Sequence, residues 1–183
     1  MYSKEEQAIR LVIKAFENKK RVKEDINMAV HSITVGFMLK NIGCDEVTVI
    51  SGLLHDIIED TTFDYNYLEK EFGAEIANNV LMVSEDKTII DWKLRKKTFI
   101  DNLSRQKESV IIVELADRLH NLLSDYSLWL VNGNKALTSL NANYEDNRWY
   151  YLEMQKLFNN KLNNNVLLDR YNEICDLYFK YKN

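Results

Sequence analysis

An all-α fold is the expectation, and three observations carry it. The chain of 183 residues contains no proline and only five glycines, so little interrupts helix formation. Apolar residues recur at helical spacing, while runs alternating apolar and polar residues are few. Leu, Ile, Lys and Glu, which a helix tolerates well, are plentiful. Length favours one domain over residues 1–183, large enough to bury a core without disulfides. Cys44 and Cys175 are far apart and suggest no disulfide framework.

Ser3 followed by Glu6 fits a capping box, and Ala8, Ile9, Leu11, Val12, Ala15 and Phe16 continue a helical stripe. Asn18 to Lys23 is a basic connection, either solvated surface or a ligand contact at a pocket mouth. Residues 27–40 read as a helix with His31 inside an apolar pattern, and Gly43 is placed to end it. Asp45 can cap the next helix, which the pattern carries through Leu53-Leu54-His55-Asp56-Ile57-Ile58-Glu59-Asp60-Thr61. In a continuous helix His55 lies under Glu59, and Asp56 under Asp60. Leu54, Ile57 and Ile58 fit a buried stripe, so the carboxylates flank apolar surface, which is costly unless they are paired or bound to a cation. Gly52 costs about 1 kcal/mol in a helix interior, easier to accept if another backbone approaches there.

Thr61 to Asp64 breaks the pattern. Short helices follow at Tyr65 to Phe72, stopping at Gly73, and at Ala74 to Met82. The polar loop Ser84-Glu85-Asp86-Lys87-Thr88 precedes a second basic run, Trp92 to Lys97, again either a solvated face or a ligand contact. Val110 to Leu130 is the longest helical pattern and ends near Gly133. Residues 134–143 look like a surface connection, and two further helices cover about 144–158 and 166–181, rich in Tyr and Leu.

The order His31, then His55-Asp56, then Asp117 on separate helices resembles the HD phosphohydrolase superfamily. Within it, His55-Asp56-x-x-Glu59-Asp60-Thr61 with Leu115-Ala116-Asp117-Arg118-Leu119-His120-Asn121 is similar to the hydrolase domain of RelA/SpoT-type alarmone enzymes, above all the small stand-alone ones. The resemblance covers about residues 20–160. It implies an HD-domain helical bundle, with His31, His55, Asp56 and Asp117 as ligands of one divalent ion, Mn²⁺ in such enzymes, with Fe²⁺ also accommodated by a mixed nitrogen and oxygen set. It assigns Glu59 and Asp60 to the attacking water and the leaving oxygen. It places Arg21, Lys23, Glu85, Arg95, Asn121 and Ser124 at the nucleotide, and His120 beside the site without ligating. The family's Gly-x-Pro-Tyr turn is replaced by Glu24-Asp25-Ile26-Asn27-Met28, and Val22 stands at a position usually basic.

The expected activity is removal of the 3′-pyrophosphate from guanosine tetra- or pentaphosphate. The alternatives are an HD phosphohydrolase acting on another nucleotide, or a nucleotide-binding regulator without catalysis. A net charge of −4 argues against broad nucleic-acid binding, and no apolar run approaches the ~18 residues of a membrane span. The polar N-terminus carries no signal peptide pattern, so the cytoplasm is the expected compartment.

Overall fold

The computed structural model describes residues 2–22, 24–133 and 142–180, and within them every regular element is a helix. Lys23, residues 134–141 and Tyr181 lie outside the described residues, and with them part of the expected surface connection and the last residue of the expected final helix. The order is α1 (Lys4–Ala15), α2 (Ala29–Asn41), α3 (Glu46–Leu54), α4 (Ile57–Asp60), α5 (Tyr65–Phe72), α6 (Ala74–Met82), α7 (Trp92–Leu103), α8 (Glu108–Asn132), α9 (Tyr144–Lys161) and α10 (Val166–Lys180).

Local signals set most of the boundaries. Ser3 accepts a hydrogen bond from the Glu6 amide at 3.1 Å, and Asp45 from the Thr48 amide at 2.7 Å, each satisfying an orphan donor of a first turn. Asp64, Asp91 and Asn143 do the same for α5, α7 and α9. Gly43, at φ +81, lets the Cys44 amide reach back to the Leu39 carbonyl at 3.2 Å and closes α2.

From Thr48 to Leu54 every residue of α3 is buried, so this helix is the centre of the molecule rather than an amphipathic surface element. It packs against α1, α2, α6 and α8. Between α2 and α3 the fit is reciprocal. A Cβ on Gly36 would overlap the Leu53 side chain, and one on Gly52 would overlap that of Leu39. The glycine in the middle of α3 therefore admits a side chain of α2, not a second backbone as the sequence suggested.

The expected continuous helix through His55 is a correction. α3 ends at Leu54, His55 and Asp56 form a turn, and α4 restarts at Ile57. The Asp60 amide still bonds the Asp56 carbonyl at 2.9 Å, so the break redirects the chain while keeping most of its backbone bonding.

The 25 residues of α8 span about 37 Å and carry one side of the site along their length. α9 and α10 pack on α8 through an aromatic layer in which Phe158 meets Tyr171 edge to face, centroids 5.3 Å apart. Buried Tyr171 donates its hydroxyl hydrogen to the Tyr151 carbonyl, and Tyr151 donates to Asp125. No helix among the described residues is long and apolar enough to cross a membrane.

Candidate metal centre and adjoining cleft

Three separate stretches converge below the surface. α2 supplies His31, the turn between α3 and α4 supplies His55 and Asp56, and α8 supplies Asp117. His31 Nε2 lies 3.0 Å from His55 Nε2 and 2.9 Å from Asp117 Oδ1. Asp56 Oδ2 lies 3.2 Å from His55 Nε2 and 3.6 Å from His31 Nε2. The break after Leu54 is what makes this possible, because it lets adjacent residues 55 and 56 turn toward one point.

Two features make the cluster fit a cation. Ligands about 2.1 Å from an octahedral ion sit about 3 Å apart at right angles, close to the spacings found. Asp56 Oδ2 is also buried without a hydrogen-bond partner, which is costly for a carboxylate unless a cation meets it. His31, His55 and Asp117 together form the one group of three or more potential ligands among the described residues.

The rings are oriented from behind. His55 Nδ1 lies 2.8 Å from the Gly52 carbonyl and must donate to it, which leaves the Nε2 lone pair facing the cluster. His31 Nδ1 lies 2.8 Å from His120 Nδ1. Burial pulls the His55 pKa down, but Asp56 and Asp117 more than offset it and lift it well above the usual histidine value. Burial raises the Asp117 carboxyl, yet Arg118 and His55 hold it well below the usual range. The site attracts positive charge, whether a proton or a metal ion.

Beside the cluster, Glu59 Oε2 accepts from the Glu85 amide at 2.9 Å, and Lys87 stands 3.3 Å from Oε1. Burial pushes the Glu59 carboxyl above its ordinary value, and although the Glu85 amide opposes this, the charges of Glu85 and Asp56 add to it. Asp60 takes a 2.6 Å bond from Lys87. Both acids are thus held by the loop before α7.

A cleft of about 510 Å³ opens against this centre, lined among others by Lys19, Lys20, Arg21, Asp60, Lys96, Arg118 and Tyr150. Asn121 and Ser124 line it too, and Asn121 donates to Asp117 Oδ1 at 2.7 Å, so the cleft ends one side chain from the cluster. Arg21 Nη2 donates to Asn121 at 3.2 Å and to Ser124 at 3.3 Å.

Glu85 and Arg95 bond to each other where the loop before α7 meets that helix. Arg95 is absent from the cleft lining; it donates to the Ile89 carbonyl at 2.8 Å and to Glu85 at 3.1 Å, tying the loop to α7. Glu85 also pairs with Lys96. Burial raises its carboxyl, but Lys96 more than compensates and the net shift is downward. Lys96, one residue on, is the side chain of α7's basic run that reaches the cleft, whereas Lys97 lines a shallow groove on the α7–α9 surface.

Trp92, Arg118, Asn147, Tyr150 and Tyr151 were not among the expected site residues. Arg118 had a signal, since it follows Asp117 directly, and the structure pairs it with both Asp117 and buried Glu114. Burial drives Glu114 up to about 8 against the pull of Arg118. The α9 residues carried no chemical motif, and only packing brings them here.

Residues 8–127 match the family model described as an HD domain. A guanosine-3′,5′-bis(diphosphate) 3′-pyrophosphohydrolase of Spiroplasma citri is 35% identical over 136 residues, covering 67% of this chain and 18% of that protein. The Drosophila melanogaster enzyme of the same description, MESH1, is 34% identical over 94 residues, covering 50% of this chain and 52% of that one. The chain therefore matches less than a fifth of the long relative and about half of the short one. A solved structure described as a metazoan ortholog of SpoT that hydrolyzes ppGpp superposes with a TM-score of 0.79 over 98% of this chain and 97% of its own, at 23% identity, which shows a shared fold.

Proposed function

This chain belongs to the HD-domain family, and from that premise we propose that it removes the 3′-pyrophosphate from guanosine tetra- or pentaphosphate, leaving GDP or GTP. The observation that carries the proposal is the convergence of His31, His55, Asp56 and Asp117 at the end of a basic cleft. The family implies a divalent ion. We take Mn²⁺ as the ion, held by those four residues, since two imidazoles and two carboxylates suit it. Bound there, such an ion polarises a phosphate oxygen and acidifies water.

The remaining work falls to side chains. Glu59, with its raised carboxyl, takes the proton from the attacking water, and Asp60 acts on the leaving ribose oxygen. Lys19, Lys20, Lys96 and Arg118 supply positive charge that an acidic protein otherwise lacks. Arg21, braced by Asn121 and Ser124, offers a flat face to a base, and Lys23 belongs to the same basic segment.

The test is pyrophosphate release from guanosine tetraphosphate by Mn²⁺-loaded protein, beside its adenine counterpart and deoxynucleoside triphosphates. Release from the guanine compound, lost together with metal retention in Asp117→Ala, is the expected result. Turnover of another nucleotide without the guanine alarmone would assign the chain to a different HD phosphohydrolase specificity. Full metal occupancy in Asp117→Ala would remove that residue from the ligand set.

A further inference from the structure

Lys87 meets the end of α4 with its ammonium. Its Nζ lies 2.6 Å from Asp60 Oδ1, 3.1 Å from the Glu59 carbonyl oxygen and 3.3 Å from Glu59 Oε1. Three oxygens of two adjacent residues thus face a group with three N–H donors and no acceptor. The loop that delivers Lys87 is itself fixed. Asp86 Oδ1 accepts from the Thr88 amide at 2.9 Å and from the Thr88 hydroxyl at 2.6 Å, while the Ile89 amide donates to the Asp86 carbonyl at 3.1 Å. Two residues before Lys87, the Glu85 amide takes the other oxygen of Glu59. Asp60 lines the cleft and Lys87 does not, so the lysine reaches the site through the two acids.

We propose that Lys87 is a positioning residue for hydrolysis: one ammonium, bound at once to Glu59 and Asp60, holds the two carboxylates in a fixed relation so that they act as a unit. This rests on the reading of that pair as the catalytic acids. Side chains of adjacent acids repel each other and spread unless a cation lies between them. The Lys87 side chain is 54% exposed, and ion pairs this open add little to stability, so the effect belongs to the rate rather than to the fold. Around Glu59 stand Asp56 from the turn before α4, Glu85 and Lys87 from the loop, and Lys96 from α7. Lys19 binds the Asp60 carbonyl, and α6, which also packs on α4, pairs its one acid, Glu75, with Lys107. Loss of Lys87 removes positive charge from beside a carboxyl that burial already raises, so the Glu59 pKa should climb further.

The experiment follows pyrophosphate release from guanosine tetraphosphate across pH and at two ionic strengths, with a melting curve for each protein. It compares Mn²⁺-loaded wild type, Lys87→Met, Lys87→Arg, Asp60→Asn and the Lys87→Met/Asp60→Asn double variant. Lys87→Met should lower kcat by about 10- to 100-fold, the cost of a misplaced catalytic group, with KM little changed. The acid limb of kcat/KM should move to higher pH. Lys87→Arg keeps the charge and should restore most of the rate and the position of that limb. In the Asp60→Asn background Lys87→Met should cost clearly less than it does alone, because the two residues act through one contact. A salt-dependent rise in KM would make Lys87 a phosphate contact and overturn the proposal. So would unchanged kinetics, or a lower melting temperature with the acid limb unmoved and the full loss of rate kept in the Asp60→Asn background. The reading of the cleft fails separately. If wild type ignores the guanine alarmone and hydrolyses another nucleotide, the same comparisons on that nucleotide decide Lys87. If it hydrolyses none, the hydrolase reading falls and melting alone judges the tie: non-additive shifts across the Lys87 and Asp60 variants sustain it, and additive shifts overturn it.

Discussion

His31 Nδ1 lies 2.8 Å from Nδ1 of His120, so one hydrogen serves two nitrogens and the tautomers of both rings are tied together. With Nε2 of His31 turned to the cluster, its Nδ1 is the donor and His120 the acceptor. Burial first, then the neighbouring charges of His31 and Arg21, press the His120 pKa down to about 4 and keep it a neutral acceptor. His120→Ala should leave the proposed ligands in place yet lower metal affinity by ~10–100-fold, since the His31 ring loses its brace. Titration of chelated protein with Mn²⁺ checks this, and an unchanged dissociation constant would show that the ring pair plays no part in metal binding.

Glu59 has a carboxyl raised above the ordinary 4.5. If it accepts the proton of the attacking water, the acid limb of kcat/KM should fall at a pH above that of an ordinary glutamate and disappear in Glu59→Gln, with kcat down ~10²–10⁴-fold. Stability moves the other way. A carboxyl whose folded pKa is raised adds stability below its unfolded value, and that contribution is lost as pH rises through the folded value. Glu59→Gln should therefore melt at neutral pH no lower than wild type. A variant that is both fully active and less stable would assign Glu59 to holding the loop before α7.

Gly52 offers a test of the core. Its missing Cβ admits the end of the Leu39 side chain, which is wholly buried. Gly52→Ala gains helix propensity but forces that leucine against α3, and overpacking typically costs about 1–3 kcal/mol. Denaturant unfolding should show a net loss of stability, and because the Gly52 carbonyl also receives His55 Nδ1, reduced metal affinity should accompany it. A stabilised variant would mean that Leu39 repacks freely.

Caps and stops were legible because they are local: Ser3, Asp45 and Gly73 act on residues within one turn. The His31, His55-Asp56 and Asp117 pattern was legible because the motif repeats a known spacing, and the fold brings those four together. The break between Leu54 and Ile57 was not, since the apolar stripe runs through it unchanged and only the bond from His55 to Gly52 marks the turn. Which of Arg95 and Lys96 lines the cleft was not legible, for a related reason. Neighbours on a helix point about 100° apart, and a run of bases does not say which one faces inward. The ties of Glu24 to Ser124 cross 100 residues, and no local pattern announces them.

That rotation gives the last prediction. Lys96 lines the cleft and is nearly buried, whereas Arg95 clamps Ile89 and Glu85 outside it. Lys96→Ala should raise KM for a multiply charged nucleotide by about 10–100-fold, the worth of a charge-assisted contact. Added salt should then weaken binding less in the variant than in wild type, because one attractive charge is already gone. Arg95→Ala should instead cost about 1–3 kcal/mol of stability through its two lost bonds. It should lower kcat more than it raises KM, since the Glu85 amide that holds Glu59 belongs to the loosened loop. Steady-state kinetics at two ionic strengths, beside melting curves, separate the two. A salt-sensitive KM defect in Arg95→Ala, with none in Lys96→Ala, would reverse the assignment and put the arginine at the nucleotide.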